Sequence, residues 1–113
     1  MPDCLFCKII KGDVPSDKVF ENENVFAFKD IHPKAPIHIL IVPKRHIGSL
    51  ASITTSDSSE IPHLFMAAQE IANKFKVKES GFRTIFNTGA DAGMMVDHLH
   101  LHLLAGRRLQ GMR

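Results

Sequence analysis

The chain has 113 residues, 44% of them hydrophobic and 23% charged, with a formal charge of +2 at pH 7. That is enough for one domain over residues 1–113 and too little for two ordinary ones. The mild charge tolerates a phosphate-bearing ligand but excludes the basic footprint of a duplex-binding protein, and no apolar run nears the ~18 residues of a membrane span.

The chain opens on Met1-Pro2-Asp3-Cys4, which lacks the basic-then-apolar layout of a signal peptide. Its two cysteines stand three positions apart, so no disulfide framework is on offer and a reduced, cytoplasmic protein is expected. Residues 4–12 carry Leu5, Phe6, Ile9 and Ile10, then stop at Gly12 with Pro15 beyond, which predicts a short helix. Lys18-Val19-Phe20-Glu21 and Val25-Phe26-Ala27-Phe28-Lys29 flank Asn22-Glu23-Asn24 and predict a hairpin. Asp30 to Pro36 holds two prolines and reads as a loop. Ile37 to Val42, an apolar run with one histidine between Pro36 and Pro43, fits a central strand.

The strongest helical signal runs from Asp57 to Val77. Ile61, Leu64, Phe65, Ala68, Ile71, Ala72 and Phe75 follow i, i+3, i+4 spacing, so one stripe faces a core. Asp57 is placed to cap the start, and Pro62 falls in the tolerant first turn. Beyond Gly81, two further strands are expected over 82–86 and 99–104, joined by a loop with Gly89 and Gly93. The whole is an α+β domain, a five-stranded antiparallel sheet with one long and one short helix.

His98, His100 and His102 alternate with Leu99, Leu101 and Leu103. On a strand such alternation puts the three rings on one face and the leucines on the other. Buried imidazoles need partners, so three in a row are seldom idle. Two chemistries fit. The rings could converge on zinc and hold an activated water, making a zinc-dependent hydrolase. Alternatively, one neutral imidazole is a nucleophile and its neighbours bind the anion it attacks. The preceding segment Asn87-Thr88-Gly89-Ala90-Asp91-Ala92-Gly93 favours the second, since a glycine-containing loop can turn N–H groups toward a phosphate. Cys4-Leu5-Phe6-Cys7 has the spacing of half a metal site, though a redox pair or two idle thiols would read the same. His32 and His63 carry no assigned role and are expected at the surface.

His98-Leu99-His100-Leu101-His102-Leu103-Leu104 resembles the His-φ-His-φ-His-φ-φ signature of the histidine triad superfamily. Phe6-Cys7-Lys8-Ile9-Ile10, Phe28-Lys29-Asp30-Ile31, Ala35-Pro36-Ile37-His38, Val42-Pro43-Lys44-Arg45-His46 and the Asn87 loop extend the resemblance, in order and spacing, to its Hint branch. The resemblance implies a HIT-like fold and a homodimer that binds a purine nucleotide such as AMP or GMP. It also implies hydrolysis or transfer at the α-phosphorus of nucleoside 5′-phosphoramidates or adenylated amines. His100 would be the nucleophile, forming a covalent nucleotidyl-histidine. His98 and His102 would orient it and bond the phosphate oxygens, with His38 as a fourth active-site histidine. Asn87 would contact the nucleotide near its phosphate, beside Gly93, Met94 and Met95. Asp30 would accept from the ribose hydroxyls, and Phe6, Ile9, Phe28 and Ile31 would sandwich the base. Through Cys4 and Cys7, with His46 and His98, the resemblance implies a closed structural zinc site.

Three departures stand out. Met94 and Met95 occupy the place of a Gln-Ser pair whose hydroxyl helps protonate the leaving amine, and thioethers cannot donate. That change leaves open a nucleotide-binding regulator with weakened turnover. Asp97 replaces an aromatic residue or proline, and the tail from Ala105 to Arg113 lacks an aromatic ending.

Overall fold

The computed structural model describes residues 4–111. Residues 1–3, part of the segment read for a leader, and residues 112–113 of the tail lie outside them. The chain begins with α1 (Leu5–Lys11), whose N-cap Cys4 accepts the Cys7 N–H on its sulfur at 3.3 Å. Gly12 closes the helix in the left-handed region at φ 88°, where its N–H returns to the carbonyl of Ile9. Phe6 and Ile9, one turn apart, face inward.

The hairpin of β1 (Lys18–Glu21) and β2 (Val25–Lys29) turns on Asn22, whose side-chain oxygen accepts from Asn24 and Val25 N–H at 2.9 Å each. After β3 (Ile37–Pro43) the chain crosses through α2 (Ile61–Lys74), then adds β4 (Phe82–Phe86) and β5 (Leu101–Ala105). All pairings are antiparallel, in the order β1-β2-β3-β5-β4. The last strand in sequence therefore enters beside β3, and β4 is left at an edge.

Alternation along β3 and β5 divides the molecule into two apolar layers. Ile39, Ile41, Leu101 and Leu103 meet Leu64 and Ile71 of α2 on one side. Leu40, Val42, Phe26 and Phe28 meet Phe6 and Ile9 of α1 on the other. Each fully buried aliphatic side chain contributes about 2 kcal/mol relative to exposure. Among the described residues no helix is long and apolar enough to cross a membrane.

Four sequence expectations are corrected. The helix expected from Asp57 begins instead as a 3-10 turn over Thr55–Glu60, and α2 ends at Lys74, before Lys76 takes φ 59°. Asp57 accepts from the N–H and hydroxyl of Thr54 at the start of that turn, so it partners the cap rather than being it. Phe65 is 48% exposed and lies edge-on to Phe86 rather than in the core. The expected strand over 99–104 starts only at Leu101, so His98 and His100 precede it. Its β3 partner explains the delay: Pro43 has no N–H to continue the ladder, and Leu99 N–H bonds the carbonyl of Ile47 instead.

Candidate active site

The two layers meet different chemistry at the α1 side of the sheet. A cavity of about 580 Å³ opens there, lined by Phe6, Ile9, Phe28, Asp30, Ile31, His38, Asn87, Gly93, Met95, His100 and His102, with Leu5, Val14, Pro15, Ile85 and Leu104 among the rest. Thus the residues expected to hold a base, a sugar and a phosphate lie around one space. Met94 is not among the lining residues; its N–H bonds the carbonyl of Gly89. His98 does not line it either.

Hydrogen bonds to groups with only one possible role fix where the protons sit. A backbone carbonyl can only accept, so His100 Nδ1–H donates to the carbonyl of His98 at 2.7 Å. In the neutral ring the lone pair is then on Nε2. By the same reasoning the Lys34 N–H donates to His38 Nδ1 at 3.0 Å, which leaves the proton of His38 on Nε2. That N–H faces His102 Nδ1 at 2.9 Å and an oxygen of Asp30 at 3.4 Å. His102 accepts on Nδ1, so its own proton is on Nε2. Asn87 Nδ2 is 3.5 Å from that nitrogen, and two N–H donors cannot bond each other. The His102 Nε2–H thus stands beside the Asn87 amide as a donor that the Asn87 nitrogen does not take up.

Burial, ahead of the nearby His100 and His38, pushes His102 down to about 4, and burial also lowers His38. Both rings are neutral at pH 7. His100 and His102 stand with ring centroids 5.0 Å apart, and Phe6 meets His100 edge-on at 5.1 Å.

His98 belongs to another cluster. It is fully buried, and its Nε2–H donates to the carbonyl of Pro43 at 2.9 Å. Its Nδ1 faces Cys4 Sγ at 3.2 Å and Cys7 Sγ at 3.6 Å, while His46 Nδ1 lies 3.4 Å from Cys7 Sγ. Neither ring nitrogen can reach a phosphate in the cavity, which corrects the role expected for this ring; it is the backbone carbonyl of His98 that serves His100. Burial, chiefly, also pushes His98 down to about 4 and raises the Cys7 thiol. The three triad rings do not converge on one point. Among the described residues the clusters of possible ligands are Cys4, Cys7, His46 and His98, and separately Asp30, His38 and His102.

The HIT domain family model matches residues 11–109. The chain belongs to the HIT domain family. A histidine triad protein from Clostridium difficile is 43% identical, with a TM-score of 0.97 over 100% of this chain and 98% of that one. A HIT family hydrolase from Legionella pneumophila Philadelphia 1 is 42% identical, covering 96% of each chain with a TM-score of 0.92. A histidine triad nucleotide-binding protein from Candida albicans is 30% identical, with a TM-score of 0.82 over 98% of this chain and 87% of that one. The five-stranded antiparallel HIT-like fold expected from sequence is thus shared with these structures. What sequence reasoning missed in this HIT domain is its backbone: the Lys34 N–H and the carbonyls of Pro43 and His98 orient the histidines, and no residue type announces them.

Proposed function

We propose that this HIT domain binds a purine nucleotide, AMP or GMP, and cleaves nucleoside 5′-phosphoramidates or adenylated amines through a covalent nucleotidyl-histidine. One observation carries the reading: the His100 Nδ1–H is bonded to the His98 carbonyl, so the Nε2 lone pair belongs to a ring lining an apolar cavity. The name of the Candida albicans relative supports a nucleotide ligand, and that of the Legionella relative supports hydrolysis.

In this reading His100 Nε2 attacks the α-phosphorus as the bond to the amine breaks, and water later cleaves the phosphorus–imidazole bond. The His102 Nε2–H donates to a phosphoryl oxygen as its charge develops. Asp30 and Asn87 hold the ribose and phosphate, while Phe6, Ile9, Phe28 and Ile31 flank the base. Incubation with an adenosine phosphoramidate, acid quenching and mass spectrometry should find AMP attached to His100. His100→Ala should lose that adduct and all turnover while keeping AMP affinity within about tenfold, or 1.4 kcal/mol. Turnover at the normal rate in that variant would end the covalent reading.

Cys4, Cys7, His46 and His98 fit a structural zinc. Tetrahedral bonds of about 2.1–2.3 Å separate ligand atoms by roughly 3.6 Å, and those recorded here lie 3.2–3.6 Å apart where in contact. The His98 Nε2–H on Pro43 leaves Nδ1 free to ligate. Bound there, the metal would tie α1 to the sheet and supply no catalysis. A homodimer is supported by the β4 edge of the sheet, which carries the exposed Phe82 and has the exposed Phe65 packed against its Phe86. A regulator with weak turnover is the second reading, favoured by Met95, a side chain without a donor at the cavity.

A further inference from the structure

Two groups of the loop between β2 and β3 set the proton positions of His38 and, through it, His102: the Lys34 N–H on His38 Nδ1 and the Asp30 carboxylate 3.4 Å from its Nε2. That loop has little of its own to hold it. Pro33 and Pro36 lack N–H groups, and its one side-chain bond within the loop is from His32 N–H to Asp30 at 2.9 Å. From outside, the segment after β5 closes on it. Arg107 donates from Nη2 to the carbonyl of Lys34 at 2.9 Å. Gly106 packs so tightly that a Cβ added there would lie 2.8 Å from Cβ of Pro36.

We infer that Arg107, outside the cavity, is a positioning residue of the site: it holds Lys34 so that its backbone N–H, together with the Asp30 carboxylate, sets the tautomers of His38 and His102. The chain of bonds runs Arg107 to the Lys34 carbonyl, Lys34 N–H to His38, and His38 Nε2–H to His102. Its last member presents an N–H to the cavity. Without the Lys34 donor, only the 3.4 Å contact with Asp30 is left to favour Nε2–H, and the other neutral tautomer of His38 becomes accessible. When His38 carries its proton on Nδ1, its Nε2 accepts from His102, which then presents a lone pair where a phosphoryl oxygen needs a donor. The loop meets Arg107 through a carbonyl, so the interaction is blind to side-chain identity on the loop and specific to a donor at position 107.

The inference rests on the proposed function only for its rate readout, because tautomers can be read without substrate. In two-bond proton–nitrogen NMR spectra at pH 7, His38 and His102 of the whole chain should each show widely separated nitrogen shifts, with the proton on Nε2. Arg107→Ala should draw the two shifts of each ring together and lower kcat for an adenosine phosphoramidate about tenfold. Arg107→Lys, which keeps a donor, should restore both. Shifts unchanged in Arg107→Ala, whether or not the rate falls, would overturn the inference, as would averaging that persists in Arg107→Lys. Absence of turnover in the unaltered chain would instead count against the proposed function and leave the tautomer result standing.

Discussion

Met95 is 92% exposed and lines the cavity, where its thioether offers no proton. Met94, its neighbour, does not line the cavity, so the two positions should separate on mutation. Met95→Ser should raise kcat for an alkylamine phosphoramidate severalfold with little change in KM, because proton donation acts in the transition state. Met94→Gln should leave both within twofold. Equal effects of the two substitutions, measured by steady-state kinetics, would contradict this assignment. His102 makes a different prediction. Its value of about 4 in the fold lies below the ordinary 6.5, so between those pH values the unfolded chain binds more protons. The stability is therefore present above pH 6.5 and lost as pH falls toward 4. His38 is shifted in the same direction. Allowing for solvent screening, roughly 1–2 kcal/mol is at stake. Thermal melts should lose several degrees between pH 7.5 and 4.5, and the loss should shrink in His102→Asn.

Among the elements, α1 is seven residues long, too short to be helical alone. Phe6, 4% exposed between Phe28, His98 and His100, is its main attachment, and Phe6→Ala should cost about 3 kcal/mol. The proposed zinc is the second attachment. Purified protein should carry about one equivalent per chain, and chelation should lower the melting temperature while hydrogen exchange quickens across α1. Protein without metal from zinc-replete cells would remove that attachment. The bounds of α1 were legible in sequence because Cys4, Gly12 and the Phe6–Ile9 spacing act locally. So was the hairpin, through the Asn22-Glu23-Asn24 segment between its strands. The sheet order was not, since β5 enters beside β3 through pairing that no local pattern encodes. The division of the triad between two clusters was legible only in part: the resemblance grouped His98 with Cys4, Cys7 and His46 but also gave it a bond to the phosphate. Regular alternation predicts a strand through His98, whereas Pro43, more than fifty residues earlier in the chain, ends the ladder. Arg107 left no mark in sequence because its target is a carbonyl.

At the scale of the whole molecule, β4 leaves one sheet edge open, with exposed Phe82 on it and exposed Phe65 against its Phe86. In the proposed dimer these surfaces cover each other. Sedimentation should give twice the chain mass at micromolar concentration, and Phe65→Lys combined with Phe82→Lys should give the single mass. A monomer before mutation would remove the dimer. The position of β5 reaches further. It is the final strand in chain order, yet it lies between β3 and β4 and carries His102, with His100 just ahead of it. On a ribosome, then, a nascent chain can complete its hairpin and α2 long before it holds His100 and His102. Strand β4, made earlier, must wait at a distance from β3 until β5 emerges to fill the gap. A chain broken off before that moment has an open sheet and no triad, so truncated copies lack the proposed nucleophile, and under the proposed function reactivity arrives together with closure of the fold.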